Sequence, residues 1–491
     1  MEKQKTPCSS CGKEFLRLAA HKCNKVLKAA KAPKTPKTPK APKTLKAAKT
    51  PKTLKAPVAS AASVTTNTVV YESGPVIPPG EKNAISLFSG AGGDTLGIER
   101  AGYKVVAFNE FNEAARTTHL AQFPTSHRIS HNGNDDIRTI PDSVFEPYKG
   151  NVNIVFAGFP CQGFSHGGKK NPDDPRNELV YNFAKVASIV RPKWIIGENV
   201  KGLLARKGRA AGEPKDSKLR PVIDIIVELF ERTGYKVTYK LIDVSTIGVP
   251  QRRKRLILVG HLGDTYPHMP WTDLTAATTP SHTAIRSFLE PHLEGAMELP
   301  NDKRYTPSTQ DPKYWIPTTA TAATEKPHNN LMRLVEGRRN PSSKEKAATP
   351  PITGPIVEPD GLISFGKRSG GYHGMVVDPD KPCSTIISTY NLCPRLFVGL
   401  HNKTTGKYWI RCMTPRELGQ IQGFPAEYLW QGTEKQQIAQ IGNAVPPPLA
   451  ERVVRSLARV IFKTTPQRDD DAVAAGAEEA EEDEEEEDED A

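Results

Sequence analysis

The stretch that most constrains this 491-residue chain is Ala84-Ile85-Ser86-Leu87-Phe88. It is an apolar run that passes directly into Ser89-Gly90-Ala91-Gly92-Gly93 and then into Leu96-Gly97-Ile98-Glu99. A buried strand, a glycine turn and a helix start, in that order, form the βα unit of a nucleotide-binding α/β fold, whose glycines let a ligand approach the backbone. A second apolar strand, 104–108, ends in Asn109-Glu110, and an acidic residue at that strand end can hydrogen-bond ribose hydroxyls. Further apolar runs at 152–156, 194–197, 237–242 and 256–259 alternate with helical stretches at 179–190 and 219–232. The second helical stretch carries apolar residues at 222, 225, 226, 229 and 230, the stripe of an amphipathic helix. The expectation is an α/β, doubly wound, mostly parallel sheet that binds its ligands at the carboxyl ends of the strands.

The run at 152–156 delivers Ala157-Gly158-Phe159-Pro160-Cys161-Gln162-Gly163-Phe164-Ser165 to such a strand end. A cysteine there can act as a nucleophile if nearby positive charge or a base draws off its proton. A lone Pro-Cys would read more simply as a structural cysteine, but four further motifs accompany it. They are Glu-Asn-Val at 198–200, Gln-Arg-Arg-Lys-Arg at 251–255, Gln-Gly-Phe-Pro at 422–425 and Gly-Asn-Ala-Val at 442–445.

In that order and at domain-scale spacing, the motifs resemble those of the C5-cytosine-specific DNA methyltransferases, with the resemblance running from Ile85 to Val454. It implies a Rossmann-like, S-adenosyl-L-methionine-dependent sheet with a smaller, strand-rich target-recognition domain. It implies that Phe88, Gly90 and Gly92 line the cofactor loop, that Glu110 holds the ribose, that Asp136 and Ile137 meet the adenine, and that Asn443 and Val445 complete the site. Cys161 is then the nucleophile that adds to C6 of a flipped cytosine. Glu198, kept protonated by a partly dry pocket, holds the N3/N4 edge of the base. Alternate residues of an extended run face the same way, so Arg253 and Arg255 are expected to point together, hold a phosphate or the cytosine O2, and depress the pKa of Cys161.

The polar stretch 164–177 reads as a mobile loop; the resemblance implies that it closes over the DNA, with Ser165 and His166 as groove contacts, Lys169, Lys170 and Arg176 as phosphate contacts, and Gln162 among the DNA-facing residues. Gln251 joins the DNA-facing set by the same resemblance. Two positions depart from the family: Ser86 stands where Asp is common, and Asp94 where an apolar residue is usual.

Charge divides the chain. Residues 1–57 carry 16 Lys/Arg against 2 acids, and residues 469–491 carry 15 acids and no base; with that +14 arm and −15 tail taken from the total of +12, the body is left at +13. Such a body suits a partner made of phosphates, here double-stranded DNA. In the arm a lysine recurs at every third position from Lys22 to Lys55 with prolines between, which on a polyproline II helix lines the ammonium groups along one edge. Cys8-x-x-Cys11 with His21-x-Cys23 offers four ligands for a structural zinc, although the His-x-Cys spacing is tight and an unstructured terminus stays open.

The expected domains are a small zinc motif at 1–25, the basic arm and linker at 26–81, a catalytic domain at 82–260, target recognition at 261–405, a C-terminal return at 406–465 and an acidic tail from 466. No membrane partner is expected, and the chain reads as an intracellular monomer, nuclear in a eukaryote and otherwise cytoplasmic or in a host cell. The added arm and tail suggest a eukaryotic or large-virus setting, while restriction-modification and epigenetic roles both stay open. Two other readings are RNA cytosine-5 methylation, whose branch carries a Cys-Phe-Thr signature missing here, and a catalytically idle DNA-binding or chromatin protein. If the acidic tail competes with DNA for the basic arm, deleting residues 469–491 raises non-specific DNA affinity at low salt; unchanged affinity in a filter-binding titration rules the competition out.

Overall fold

The structure, a computed structural model, describes residues 82–160, 179–214, 216–274, 284–299, 312–323, 326–327, 356–357, 362–364, 373–390 and 395–467, together with two short strands near the N-terminus. Those strands, Thr6–Pro7 and Glu14–Phe15, pair antiparallel within a unit spanning Met1–Val70. All other described elements belong to a second compact unit, Tyr71–Ala491. The zinc-ligand candidates Cys8, Cys11, His21 and Cys23 lie outside the described residues, as do the lysine arm and the acidic tail. So do Cys161, Gln162, Ser165, His166, Lys169, Lys170 and Arg176.

The second unit is built on a seven-stranded sheet. Its strands are β1 (Asn83–Leu87), β2 (Lys104–Asn109), β3 (His127–Arg128), β4 (Ile154–Ala157), β5 (Trp194–Val200), β6 (Tyr235–Asp243) and β7 (Lys254–Leu262), in the order β6-β7-β5-β4-β1-β2-β3. All neighbours pair in parallel except around β7, which runs antiparallel to both β5 and β6. The chain therefore leaves β1 toward β2 on one side and returns to β4 on the other. The crevice at this switch between β1 and β4 is where doubly wound sheets bind ligands.

Fully buried strands such as β1 and β4 read as continuous apolar runs because helices cover both faces. On one face α3 (Leu179–Val190) and α4 (Val222–Arg232) bury Val180, Phe183, Ile223 and Phe230 against Val155, Ile195 and Leu258. On the other, Ile98 of α1 (Gly93–Arg100) and Leu449 and Val453 of the last helix cover Ile154, Phe156 and Ile196. The sequence stopped β5 at residue 197, whereas the strand continues through Glu198 and Asn199 to Val200 because β7 supplies a full ladder opposite them.

A second, smaller sheet holds β8 (Trp315–Pro317), β9 (His373–Val376), β10 (Leu396–Asn402) and β11 (Lys407–Cys412) around a core that includes Val398, Leu400 and Trp409. Helix α5 (Pro415–Ile421) leaves it through a capping box formed by Thr414 and Glu417. Glu417, fully buried, also pairs with Arg411 at 2.6 Å. Arg411 spends its other donors on the carbonyls of Glu290, His292 and Cys412, so one ion pair ties two segments of the lobe, 290–292 and 411–412, to α5. Helix α6 (Glu434–Asn443) and helix α7 (Pro447–Ser456) then return the chain to the large sheet.

The contact between α7 and α1 demands a glycine. A Cβ at Gly97 would lie 2.4 Å from Pro447 O and 2.7 Å from Ala450 Cβ. Gly97→Ala is thus expected to destabilise the fold by about 1–3 kcal/mol by overpacking, although the same change in a free helix stabilises by up to about 1 kcal/mol. The sign of the shift in the urea-unfolding midpoint separates the two cases.

Candidate active site

The turn after β1 is held in a conformation that ordinary residues avoid. Phe88 has φ +55°, and Gly90 and Gly92 have φ +54° and +91°. Among the described residues nothing lies within 4 Å of a Cβ built on Gly90, and they leave that side of the turn open. A Cβ on Gly92 would meet Phe123, and one on Gly93 would lie 2.2 Å from Val445 O, so both are glycines of close approach. Tyr428 donates to Ala91 O at 2.6 Å, and Phe424 packs against Gly93, so the Gln-Gly-Phe-Pro segment braces the turn from behind. A non-glycine residue at positive φ costs energy that the surroundings must support, and such strain clusters at ligand sites.

Glu110, at the end of β2, accepts hydrogen bonds from the backbone N–H of Gly90 at 2.8 Å and of Asn112 at 2.6 Å. Burial raises its pKa above the ordinary carboxylate value, opposed by those two bonds. Its carboxylate is fixed beside the open face of Gly90, as recognition of a diol requires. Phe111, the next residue, is 70% exposed, an unusual cost for a ring and one that a covering ligand would remove. Its signal in the sequence was only adjacency to Glu110, and it was overlooked there.

Ile137 is buried, but the carboxylate of Asp136 is held by Arg138 two residues on, through Nε at 2.8 Å and Nη2 at 2.5 Å, which lowers its pKa. The neighbouring Asp135 anchors the segment through a bidentate bond to Arg128 and a bridge to Arg116 at 2.9 Å.

At the second turn, Asn199 of β5 donates to Phe159 O at 3.2 Å, fixing the backbone that leads to Pro160. A Cβ on Gly158 would lie 3.3 Å from Val445 Cγ2, 3.8 Å from Phe88 O and 3.9 Å from Glu198 Oε2. Two turns, Val445 and Glu198 therefore converge on one small space. Asn443 is the last residue of α6 and is exposed.

Glu198 is paired with Arg255 of β7 at 2.9 Å, and both side chains are largely buried. Burial lowers the pKa of Arg255, while Glu198 counteracts this. Arg253 faces elsewhere. Its side chain is buried and donates to Ile386 O at 3.0 Å, Gly442 O at 2.8 Å and Ala444 O at 3.1 Å. Burial drives its pKa well down, with Arg255 adding to the effect. Gln251 is equally enclosed, donating to Gln422 and accepting from the Ile386 N–H at 2.9 Å. Both side chains face the protein interior, whereas an extended run would have placed Arg253 beside Arg255. The reason is a long-range pairing: Gln251–Arg252 pair with Cys383–Ser384, and Arg253 sits in the break before β7.

The arrangement suits an adenosyl cofactor: an open glycine turn, a fixed carboxylate at the second strand end and an exposed aromatic ring beside it. Among the described residues no group of His, Cys, Asp and Glu could hold a metal ion, and no helix is long and apolar enough to cross a membrane.

The model of the C-5 cytosine-specific DNA methylase family matches residues 82–459. The chain is 29% identical over 387 residues to the type II methyltransferase M1.HphI of Haemophilus parahaemolyticus, covering 77% of this chain and 86% of that protein. It is 27% identical to M.Sau96I of Staphylococcus aureus, covering 77% and 76%. A solved S. pombe Dnmt2 methyltransferase superposes with TM-score 0.49 at 16% identity, covering 77% of this chain and 98% of that one.

Both arginines are expected to matter for stability. Arg253→Met leaves Ile386 O and Gly442 O without this donor, while Ala444 O keeps the one from Gln422, and is expected to cost about 2–3 kcal/mol. Arg255→Met leaves Glu198 largely buried without its partner and is expected to cost about 3–5 kcal/mol. Denaturant unfolding of the two variants checks this; a loss below about 1 kcal/mol, the range of an exposed pair, contradicts the buried role of that arginine.

Proposed function

The chain belongs to the C-5 cytosine-specific DNA methylases, and on that premise we propose that it methylates C5 of a flipped cytosine in duplex DNA through a covalent adduct at Cys161. The observation that carries this reading is the convergence of Gly158, Phe88 O and Glu198 Oε2 on one space, directly ahead of Pro160-Cys161 in the chain. The wall of that space toward β1 has the features of an adenosyl site, and the wall toward β5 holds a carboxylate backed by a guanidinium.

S-adenosylmethionine, when bound, supplies the methyl group on a positively charged sulfur. Phe88, Gly90 and Gly92 would hold it along the turn, with Glu110 on the ribose, Phe111 against the adenine face, Asp136 and Ile137 at the adenine edge, and Asn443 and Val445 closing the far side. Glu198 orients the cytosine through its N3/N4 edge, and Arg255 keeps that carboxylate in place. The Cys161 thiolate forms a bond to C6 and the C5–C6 π electrons move to C5, while a proton that Glu198 takes up from solvent as the base binds passes to N3 and offsets the charge. After methylation of C5, loss of the C5 proton to a base and departure of the thiolate restore the ring.

Arg253 and Gln251 then act by holding the recognition lobe and the C-terminal segment in register. The DNA contacts fall to Gln162, Ser165, His166, Lys169, Lys170 and Arg176, with the basic body and arm supplying affinity that falls with salt.

Cys161→Ala is expected to abolish transfer of labelled methyl groups to unmethylated duplex DNA while leaving cofactor affinity within about twofold, since the thiol acts on the base alone. Glu198→Gln should slow transfer by about 100-fold or more. Base-resolution sequencing of the wild-type product tests the assignment directly: methylation at one recurring motif supports it, and labelling of RNA instead of DNA replaces it with RNA modification.

A further inference from the structure

Helix α2 (Glu113–Gln122) begins just after Glu110 and Phe111, and Asn112 caps it by accepting from the Ala115 N–H at 3.1 Å. Side chains on a helix lean toward its N-terminus, so Arg116 reaches back over the first turn. Its Nη1 donates to Glu110 O at 3.2 Å and to Phe111 O at 3.1 Å, and it lies 2.9 Å from Asp135 Oδ2. The Arg116 and Asp135 side chains are 14% and 7% exposed, so this pair is not of the solvent-screened kind that contributes little.

Asp135 is held from its other side as well. Arg128 of β3 meets both its carboxylate oxygens at 2.6 Å. The buried Asn109, last residue of β2, donates to Asp135 O and Ile129 O at 3.0 Å each. These contacts fix the segment 129–135 against the ends of β2 and β3. Arg116 then joins that segment to the backbone of Glu110 and Phe111. On one side of the join stand the acid and the ring assigned to the ribose and the adenine face; on the other stand Asp136 and Ile137, assigned to the adenine edge. The Phe111 ring is 70% exposed, so packing of its own side chain does not set its place, and the bond from Arg116 to its carbonyl acts on it directly. Burial raises the Glu110 pKa, and after two backbone N–H bonds the Arg116 charge is next in opposing the rise.

We propose that Arg116 is a positioning residue for the adenosine half of the methyl donor, setting Glu110 and Phe111 against segment 136–137 by bonding to both carbonyls and to the Asp135 carboxylate. The inference rests on the cofactor reading above. A site already held in its bound arrangement needs less ordering when the ligand arrives. Loss of Arg116 therefore weakens every ligand that carries adenosine, and by one common factor, whatever the ligand carries at sulfur. The chemistry at the methyl group, assigned to Cys161 and Glu198, is untouched once the donor is bound.

The test compares the full-length wild type with Arg116→Met and Asp135→Asn. Binding of S-adenosylmethionine, S-adenosylhomocysteine and methylthioadenosine is measured by isothermal titration calorimetry, and transfer of labelled methyl groups to duplex DNA by steady-state kinetics. In Arg116→Met all three ligands are expected to bind about tenfold more weakly, a change the size of one lost charge-assisted hydrogen bond. KM for the donor rises in step while kcat at saturating donor stays within about twofold, the pattern of lost uniform binding. Asp135→Asn removes the charge that Arg116 and Arg128 share, and it is expected to weaken the three ligands together by about threefold or more.

Binding of the three ligands by Arg116→Met within about twofold of the wild type overturns the proposal. So does a loss that spares methylthioadenosine, and so does a fall in kcat with KM unchanged, which is what an arginine of purely structural role gives. Should Arg116→Met not fold, Asp135→Asn decides by the same comparison. Failure of the wild type to bind any of the three ligands overturns the cofactor reading and this inference together, whereas wild-type binding with unchanged affinities in the variant overturns this inference alone.

Discussion

The architecture depends on how one buried arginine is fastened. Arg253 sits in the break between the Gln251–Arg252 bridge and β7, and its two terminal nitrogens reach carbonyls from two other parts of the chain. Ile386 O belongs to the lobe of the second sheet, and Gly442 O and Ala444 O to the segment that returns to the large sheet. Gln251 repeats the pattern, linking the Ile386 N–H to Gln422, whose own amide donates to Ala444 O at 3.0 Å. Polar groups in a dry interior are high-stakes: a satisfied network specifies one arrangement, and a half-satisfied one costs more than none. Here the network sets the register between the sheet, the lobe and the C-terminal return. The position of Val445 over Gly93, and with it the shape of the cofactor turn, depends on that register.

The same return explains why the first and last parts of the unit form one site. Gly93 has no room for a side chain because Val445 O occupies the space, Gly97 none because Pro447 and Ala450 do, and Ala91 is braced by Tyr428. Strain in the turn at Phe88 is therefore supported by residues more than three hundred positions away. A turn held this way is pre-organised, so less order has to be imposed when a ligand binds.

Much of this was legible in the sequence because it rests on local rules. The strand, glycine turn and helix at 84–99 and the helix at 179–190 follow from apolar periodicity and glycine placement, and the structure has them where the pattern put them. The limits of β5 were not legible, because Glu198 and Asn199 are polar and only the ladder from β7 keeps them in the strand. The orientation of Arg253 was not legible either. Alternation holds within a continuous strand, and the break at residue 253 is created by pairing with Cys383–Ser384, more than a hundred residues away. The resemblance places Asp136 at the adenine, but the hold of Arg138 on its carboxylate was not legible, because that interaction depends on the turn closing back on itself. Phe111 and Tyr428 gave no periodic signal at all, since one is exposed and the other acts through a single hydroxyl.

The charge distribution follows a consistent logic across the site. Glu198 and Arg255 neutralise each other, so the wall toward β5 carries no net charge from this pair. The two terminal nitrogens of Arg253 are met by carbonyl dipoles, which solvate a guanidinium without adding a second full charge, while its buried Nε has no hydrogen-bond partner among the described residues. Both arginines have lowered pKa values from burial, and each is kept by a different device, one by a carboxylate and the other by a cage of carbonyls. Asp94, a buried acid on α1, is held instead by the Ser86 hydroxyl and by the backbone N–H groups of Asp94 and Thr95 at the start of its own helix; burial outweighs these bonds and raises its pKa to about 7, so the interior between α1 and β1 keeps a group that is easily neutralised by a proton.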